Sequence, residues 1–402
     1  MVYLIPIFLC LFFSVQYDQR KGAYTLGEYP YSKRMYIFIF AWLVVISALQ
    51  YCVGYDTPIY MNAYAESKYS KISDIWEGGR YRPGWILLQI FCYKISDDFV
   101  VLKIVQAVFL NLCVYKFLSR YSRYWYLTLF FYILYSYGQL NFGAMRQSFA
   151  VGFFLLAVPY LEERRTKRET VIALLKYFCL IYFATLFHAS AFILYLIPLL
   201  KFCVATNRRM AITIMIVIIA SLVLSYVSGL NTLLYSLVKS SDVLEQNSAY
   251  YLTGGDYVGS KRGFALIMAF IPIAFVYICL YLTRNSQSTR SKVMRMLLLA
   301  YIIMATLNLS IPIFYRFNIY FGFAYIITIP MAIYDGSLFN TSLITRSSLL
   351  KVLLFVMFIL YPVNHLISVH PSWGIPGYRI YYPYHSVFSP QVDFERSRII
   401  DY

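Results

Sequence analysis

The chain has 402 residues, of which 60% are hydrophobic, 20% aromatic and only 13% charged, and its formal net charge is +17. A soluble domain carries about 25% charged residues, so the composition excludes an ordinary soluble enzyme and predicts an integral membrane protein. The apolar runs are continuous rather than alternating, which favours helices over a transmembrane barrel. A basic excess in a membrane protein marks its cytoplasmic loops, and we therefore expect no nucleic-acid partner.

The chain is predicted to form one all-α integral membrane domain over residues 1–402, a polytopic bundle of about twelve spans. Its apolar beginning lacks both a basic segment and a cleavage site, so we interpret it as a retained span. The predicted spans are Tyr3–Gln16, Met35–Val53, Phe99–Leu118, Tyr124–Leu140, Ser148–Leu161, Val171–Phe187, Ala189–Leu200, Met210–Ser228, Gly263–Leu282, Met296–Ile311, Phe317–Tyr334 and Leu350–Leu366. Several fall short of the roughly 20 residues that a crossing needs, which is typical of helices that end inside a cavity.

The basic residues of the connecting loops predict the orientation. One set of alternating loops carries 18 Lys and Arg residues, whereas the other set, almost twice as long, carries 13. The denser set is therefore expected to be cytoplasmic. It comprises loops 17–34, 119–123, 162–170, 201–209, 283–295 and 335–349.

Three outer segments stand out under this orientation. Loop 54–98 contains the apolar stretch Pro83–Ile95, which we interpret as a re-entrant or interfacial helix because a full span there would reverse every later loop. Loop 229–262 ends in a Gly- and Tyr-rich segment that is typical of a mobile lid. The third outer segment is the C-terminal tail, 367–402.

Three arginines lie at predicted helix ends on the outer side: Arg146, Arg316 and, beside the re-entrant helix, Arg82. An arginine keeps its charge and offers a planar fork of donors that matches phosphate oxygens. Asn141 and Gln147 add donors at the turn that carries Arg146. We expect these arginines to bind an anionic ligand, and a lipid diphosphate is the ligand that a membrane enzyme meets on its outer face. The alternative is that they anchor helix ends at the membrane surface.

Asp56 and His188 are the candidate general bases on the same side. Asp56 lies in a turn after the second span and could instead cap the next helix. His188 precedes Ser190 and could act as acid or base near neutral pH, or serve as a hydrogen-bonded structural residue. The remaining histidines have no ligand-like spacing and the cysteines form no C-x-x-C pair, so we expect no metal site.

Together these segments resemble the EpsG family of Wzy-like polysaccharide polymerases over nearly the whole chain. The matching segments are Gly54-x-Asp56-x-x-x-Tyr60, Asn141-x-x-x-x-Arg146-Gln147-x-x-Ala150, His188-x-Ser190-Ala191, the turn at Arg316, and Tyr382-Pro-Tyr384. One segment departs from the family, which often carries an acidic residue before the re-entrant helix. Here that segment reads Arg82-Pro-Gly84-Trp85, so Asp56 or Glu77 would have to supply the acid.

The resemblance implies a GT-C-like glycosyltransferase at the outer face of the bacterial cytoplasmic membrane. Such an enzyme joins polyprenyl-diphosphate-linked oligosaccharide repeat units into exopolysaccharide, capsule or O-antigen, without metal or other cofactor. A chain-length regulator is a candidate partner. The resemblance implies diphosphate binding by Arg146, Arg316 and Arg82, base catalysis by Asp56 or His188, and supporting roles for Asn141, Gln147, Ser190 and Tyr384. A flippase for the lipid-linked glycan, a glycan ligase and, more distantly, a membrane acyltransferase are the rival functions.

Overall fold

The computed structural model describes residues 2–19, 30–68, 75, 81–226, 273–280, 288–311, 314–334, 348–369 and 375–391. Regular structure in these ranges is helical, with three isolated β-bridges and no strand, which confirms the predicted all-α class for this part of the chain. The predicted lid and Glu77 lie outside the described residues, as do most of the span Gly263–Leu282 and the tail beyond residue 391.

Thirteen α-helices are named in the described ranges, with shorter π-helical and 3₁₀ segments between some of them. The α-helices are α1 (Leu4–Phe13), α2 (Pro30–Ala48), α3 (Thr57–Glu66), α4 (Pro83–Ile95), α5 (Val100–Tyr121), α6 (Trp125–Tyr132), α7 (Met145–Ala157), α8 (Lys167–Thr185), α9 (Leu200–Cys203), α10 (Asn207–Tyr226), α11 (Thr289–Leu307), α12 (Tyr315–Tyr334) and α13 (Ser348–Ile367). The π-helical segments are Ser14–Gln19, Ile133–Tyr137 and Gln139–Gly143, and the 3₁₀ segments are Val158–Leu161, Ala189–Leu199 and Gly377–Ile380. Residues 273–280 are also helical.

Three of the described helices are long and apolar enough to cross a membrane, judged by length and composition alone. They are Pro30–Ala48, Val100–Tyr121 and Asn207–Leu224. Leu4–Asp18, Met145–Leu161 and Ala189–Cys203 are shorter apolar helices, as the sequence predicts. The total of about twelve spans and the GT-C-like architecture stay predictions.

Helix α4 is too short to cross a bilayer. Its thirteen residues extend about 20 Å at 1.5 Å per residue, against a hydrocarbon core of roughly 30 Å. Trp85 is fully buried at its beginning, whereas Leu87, Phe91 and Ile95 form an exposed apolar stripe. The amide of Gly84 donates to the Leu186 carbonyl over 2.9 Å, which fixes α4 against the end of α8.

At the opposite end of the bundle, ionic contacts connect the loops that carry many basic residues. Arg120 at the end of α5 forms a bidentate hydrogen bond with Glu162, with both N–O distances at 2.9 Å. Glu163 accepts a 2.9 Å hydrogen bond from Lys292 in α11. Segments 119–123, 162–170 and 288–295 therefore meet at one end, whereas Arg146 and His188 lie at the other ends of α7 and α8, and Arg82 precedes α4, which packs beside that end of α8.

Candidate functional site

The site is built around the break between α6 and α7. The chain stays helical from Trp125 to Gly143, with two π-helical segments in the second half, and turns at Ala144 before α7 begins. A helix end leaves carbonyl oxygens without intrahelical donors. Three consecutive carbonyls here accept instead from side chains: Leu140 from Gln106 at 2.9 Å, Asn141 from Lys103 at 2.7 Å, and Phe142 from Thr57 at 2.8 Å. These three bonds hold the chain in the conformation that places Arg146 in the next turn.

Asn141 supports this break from inside the protein. It is fully buried, and its Nδ2 donates to the Tyr137 carbonyl at 3.0 Å while its Oδ1 accepts from Asn111 at 2.8 Å. Its amide therefore stabilises the turn and does not face a ligand. Lys103 and Gln106, which sequence reasoning missed, belong to the same buried network. The signal that could have found them is a lysine and a glutamine at i and i+3 in the apolar first half of α5.

Arg146 is the second residue of α7 and lies against two aromatic rings. Its Nε donates to Tyr60 Oη at 3.3 Å, and its guanidinium carbon lies 4.9 Å from the centre of the Tyr81 ring. Cation–π contact of this kind orients an arginine without neutralising its charge. Tyr60 belongs to α3 and Tyr81 precedes α4, so the predicted outer loop holds this arginine in place.

Gln147 connects the beginnings of two helices that are distant in sequence. Its Nε2 donates to the backbone oxygen of Arg316 at 2.7 Å, and its side chain is only 4% exposed. Arg316 is the second residue of α12, just as Arg146 is the second residue of α7. The bond therefore keeps the two arginine-bearing turns adjacent.

Arg82 lies at the position before α4. Its guanidinium carbon is 5.4 Å from the centre of the Phe192 ring, and burial lowers the pKa of the guanidinium. Its Nε is buried and has no hydrogen-bond partner among the described residues. An acceptor atom of a bound ligand would supply a hydrogen-bond partner for this Nε–H group.

His188 precedes the 3₁₀ segment Ala189–Leu199, and its Nδ1 caps that segment. Nδ1 accepts from the Ser190 amide at 3.2 Å and lies 2.6 Å from Ser190 Oγ, which is 2.9 Å from Tyr320 Oη. Because Nδ1 accepts, the proton of the neutral ring resides on Nε2. His188 is therefore a neutral hydrogen-bond donor at Nε2.

Three arginines lie close enough to His188 to act on its pKa. Burial lowers this pKa well below its ordinary value, and the positive charges of Arg146, Arg316 and Arg82 lower it further. The structure thus brings together the four residues that the sequence placed at outer helix ends. All four begin helical segments, whose N-termini carry positive partial charge. Such an arrangement is stabilised by an anion.

Asp56 lies near the edge of this cluster. Burial raises the pKa of Tyr60, the charge of Arg146 lowers it and that of Asp56 raises it, so both charges act on the same phenol. Asp56 precedes α3, but its side chain does not form the cap that was the alternative interpretation. Two residues before Asp56, position 54 requires glycine. Its φ is +97°, and its packing on the Phe142 carbonyl leaves no room for a side chain.

Tyr384 belongs to a different part of the structure. Its hydroxyl donates to the Ile46 carbonyl at 2.9 Å and its ring packs against Tyr3. The contacts described for it hold the C-terminal segment against the end of α2 and do not bring it to the arginines. In the described part of the chain, no group of three His, Cys, Asp or Glu side chains lies close enough to hold a metal ion.

A family model described as the EpsG family matches residues 33–386, which include every residue of the site. No curated protein and no solved structure matches the chain.

Proposed function

The chain belongs to the EpsG family of Wzy-like polymerases, and from this premise we propose that it joins oligosaccharide units carried on polyprenyl diphosphate. The observation that carries the proposal is the convergence of Arg82, Arg146 and Arg316 around His188 at four helix starts. A diphosphate with several negative charges matches three cations in this geometry. Asp56 supplies the proton acceptor that glycosyl transfer requires.

In the proposed reaction, a sugar hydroxyl of the acceptor attacks the anomeric carbon of the donor. A new glycosidic C–O bond forms, the bond between the anomeric carbon and the diphosphate oxygen breaks, and polyprenyl diphosphate leaves. Negative charge accumulates on the leaving diphosphate in the transition state. Fixed guanidinium groups beside this oxygen stabilise that charge without having to reorganise.

We assign His188 the role of a hydrogen-bond donor to the leaving diphosphate and not the role of the base. Its Nδ1 is occupied by Ser190, and its Nε2 carries a proton in the neutral ring. A histidine among three arginines binds a proton weakly, so it remains a neutral donor at physiological pH. The Nε2–H group would donate to a diphosphate oxygen alongside the arginines.

Asp56 is then the proposed base. A carboxylate can accept the proton of the attacking hydroxyl when it lies within hydrogen-bond reach of it. Asp56 is half-buried, does not cap α3, and lies with Arg146 beside Tyr60. The other acidic candidate, Glu77, lies outside the described residues.

We place the reaction at the outer face of the bacterial cytoplasmic membrane and its product among the exopolysaccharides. The loop charges support this orientation, since the Lys- and Arg-rich loops lie at the helix ends opposite the arginines. The proposal includes no metal, because the arginines provide the positive charge that the leaving group requires.

The test is polymer formation by the purified full-length protein in detergent, with polyprenyl-diphosphate-linked oligosaccharide as the only substrate. We expect a ladder of glycan lengths from the wild type and none from Arg146→Ala, while Arg168→Ala, a change at an exposed arginine of α8, keeps the ladder. A flippase would give no polymer when substrate is already accessible. A ligase would give one transfer product and no ladder. A normal ladder from Arg146→Ala would contradict the proposed site.

A further inference from the structure

Tyr320 is a fully buried tyrosine of α12 whose hydroxyl contacts the candidate site. Its Oη lies 2.9 Å from Ser190 Oγ. Tyr320 follows Arg316 by four residues, so it lies one turn further along the same face of α12. Its ring packs edge-on against Phe154 of α7, with the ring centres 6.0 Å apart. Packing thus holds the ring, while the hydroxyl contacts the beginning of the 3₁₀ segment Ala189–Leu199.

The backbone amide of Ser190 fixes the direction of the hydrogen bonds between Tyr320 and His188. This amide donates to His188 Nδ1 at 3.2 Å, and because the hydrogen of a backbone amide cannot rotate, Nδ1 is an acceptor. Ser190 Oγ lies 2.6 Å from the same Nδ1 and therefore donates to it as well. Since the hydroxyl hydrogen of Ser190 points to His188, Ser190 Oγ accepts from Tyr320 Oη. The donor chain thus leads from Tyr320 through Ser190 to His188.

Gln147 extends this chain to the beginning of α7. Its side chain hydrogen-bonds to Tyr320, in addition to the 2.7 Å bond that its Nε2 donates to the Arg316 carbonyl. Because the hydroxyl hydrogen of Tyr320 points to Ser190, the Tyr320 oxygen is the acceptor toward Gln147. An amide nitrogen carries two hydrogens, so Nε2 of Gln147 can serve both acceptors. The chain therefore joins the first turns of α7, α12 and the 3₁₀ segment.

We propose that Tyr320 is a positioning residue of the glycosyl transfer, and that it acts by holding the Ser190 hydroxyl as a donor to His188 Nδ1. This inference rests on the function proposed above. A neutral ring that accepts at Nδ1 keeps its proton at Nε2. The bonds at Nδ1 also fix the plane in which the Nε2–H group lies. In this role Tyr320 does not contact the substrate, and it sets the direction in which His188 donates to the diphosphate.

The first measurement is the ¹⁵N resonance of His188 Nδ1 in the full-length protein, in detergent and with labelled histidine. The chain has four histidines, and the signals of His188 are those that disappear in His188→Gln. Ser190→Ala removes the hydroxyl donor to Nδ1 and should shift this resonance. Tyr320→Phe should shift it in the same direction and by less, because a Ser190 hydroxyl that no longer accepts from Tyr320 is a weaker donor. A resonance unchanged in either variant would overturn the proposal.

Tyr325→Phe is the matched control for Tyr320→Phe. Tyr325 belongs to the same helix and is also buried, and its hydroxyl lies 3.4 Å from Tyr135 Oη, outside the chain that leads to His188. The control therefore loses a buried phenol hydroxyl of the same kind. It should keep both the His188 resonance and the polymerisation rate of the wild type. A shift in Tyr325→Phe as large as that in Tyr320→Phe would overturn the assignment to the Tyr320 hydroxyl.

The second measurement is polymerisation in detergent by the single and double variants. We expect Tyr320→Phe to lower kcat about fivefold and to change KM by less than about twofold, as for the loss of one neutral hydrogen bond that matters in the transition state. In the Ser190→Ala background the same change should lower kcat by less than about twofold, because the connection to His188 is already lost.

The outcomes separate this inference from the function on which it rests. Equal losses of kcat from Tyr320→Phe in the two backgrounds would overturn the proposed role of Tyr320. Absence of polymer from the wild type would instead overturn the proposed function. The Nδ1 resonance is measured without substrate, so it still decides in that case whether Tyr320 holds the Ser190 hydroxyl toward His188.

Discussion

The backbone oxygen of Arg316 accepts a 2.7 Å hydrogen bond from Nε2 of Gln147, and this bond joins the first turns of α7 and α12. Both turns carry an arginine at their second helical position. Two like charges repel, and two helix N-termini add positive partial charge to that repulsion. The hydrogen bond therefore maintains an arrangement that electrostatics alone would separate, and a bound diphosphate would stabilise it.

Replacing Gln147 should test whether this hydrogen bond positions Arg316 for catalysis. Gln147→Leu removes the donor and leaves the Arg316 carbonyl without this partner, at a cost of about 1–3 kcal/mol in the free energy of unfolding. We expect kcat for polymerisation to fall about tenfold with a smaller change in KM, because the displaced arginine matters most in the transition state. Steady-state rates in detergent measure both constants.

Gln89→Leu is the matched control for this change. Gln89 is also buried, in α4, but its Nε2 has no hydrogen-bond partner in the described part of the chain. The control should therefore keep the stability of the wild type. An unchanged kcat in Gln147→Leu would show that the bond does not position Arg316 for catalysis.

His188 should behave as a donor and not as a base. His188→Gln keeps an N–H donor near the position of Nε2, so we expect it to retain about a tenth of the polymerisation rate. His188→Phe removes the donor and should lose at least a hundredfold, comparable with the loss of one oxyanion donor. Rates of both variants at saturating substrate test this. Equal losses in the two variants would favour a base.

Titration of His188 gives a separate prediction for stability. Its pKa in the folded protein is lowered by burial and by the three arginines, whereas the unfolded chain takes up the proton near pH 6.5. The unfolded state therefore binds more protons below that pH, and the wild type loses stability as pH falls from 7 to 5. In His188→Gln this loss should be smaller, by the order of a few degrees in melting temperature. If the melting temperatures of the two proteins fall equally between pH 7 and pH 5, the lowered pKa of His188 is contradicted.

The sequence could predict which residues begin helices at one end of the bundle, because apolar runs and the positions of Lys and Arg define helix ends. It therefore identified Arg82, Arg146, Arg316 and His188 together. It could not predict that Asn141 turns inward, since this depends on carbonyls that are satisfied from Lys103 and Gln106 more than thirty residues away.

The π-helical break and the C-terminal segment show the same limit. Hydropathy is identical for an α-helix and a π-helix, so the sequence predicts the span Tyr124–Leu140 but neither the two π-helical segments nor the turn at Ala144. The sequence groups Tyr384 with the arginines because its segment belongs to the same set of motifs. Its contacts with α2 arise from long-range packing, which a motif does not encode.

Asp56→Asn should reduce catalysis with little effect on binding. The amide has the size of the carboxylate but cannot accept the hydroxyl proton, and general-base catalysis contributes about 10²–10⁴-fold. We therefore expect kcat to fall at least a hundredfold with KM within threefold of the wild type. Asp97→Asn, an exposed acid that also lies in loop 54–98, is the control and should keep the full rate. Full turnover by Asp56→Asn would remove this residue as the base.

Lys103→Met should destabilise the break that presents Arg146. The side chain of Lys103 is fully buried, and its Nζ donates to Gln106 Oε1 at 2.8 Å and to the Asn141 carbonyl at 2.7 Å. Methionine fills a similar volume without a donor, so the carbonyl and the amide oxygen both lose this partner. We expect the free energy of unfolding to fall by about 1–3 kcal/mol.

Lys116→Met in the same helix provides the comparison, because Lys116 is exposed and its loss should change stability by less than about 0.5 kcal/mol. Melting curves in one detergent compare the two variants directly. Equal melting temperatures would show that the Lys103 amine is not required to hold the break. Lys103→Met should melt at a lower temperature. If its polymerisation rate, measured at a temperature at which the variant is still folded, is also lower than that of the wild type, this buried amine is connected to the placement of Arg146.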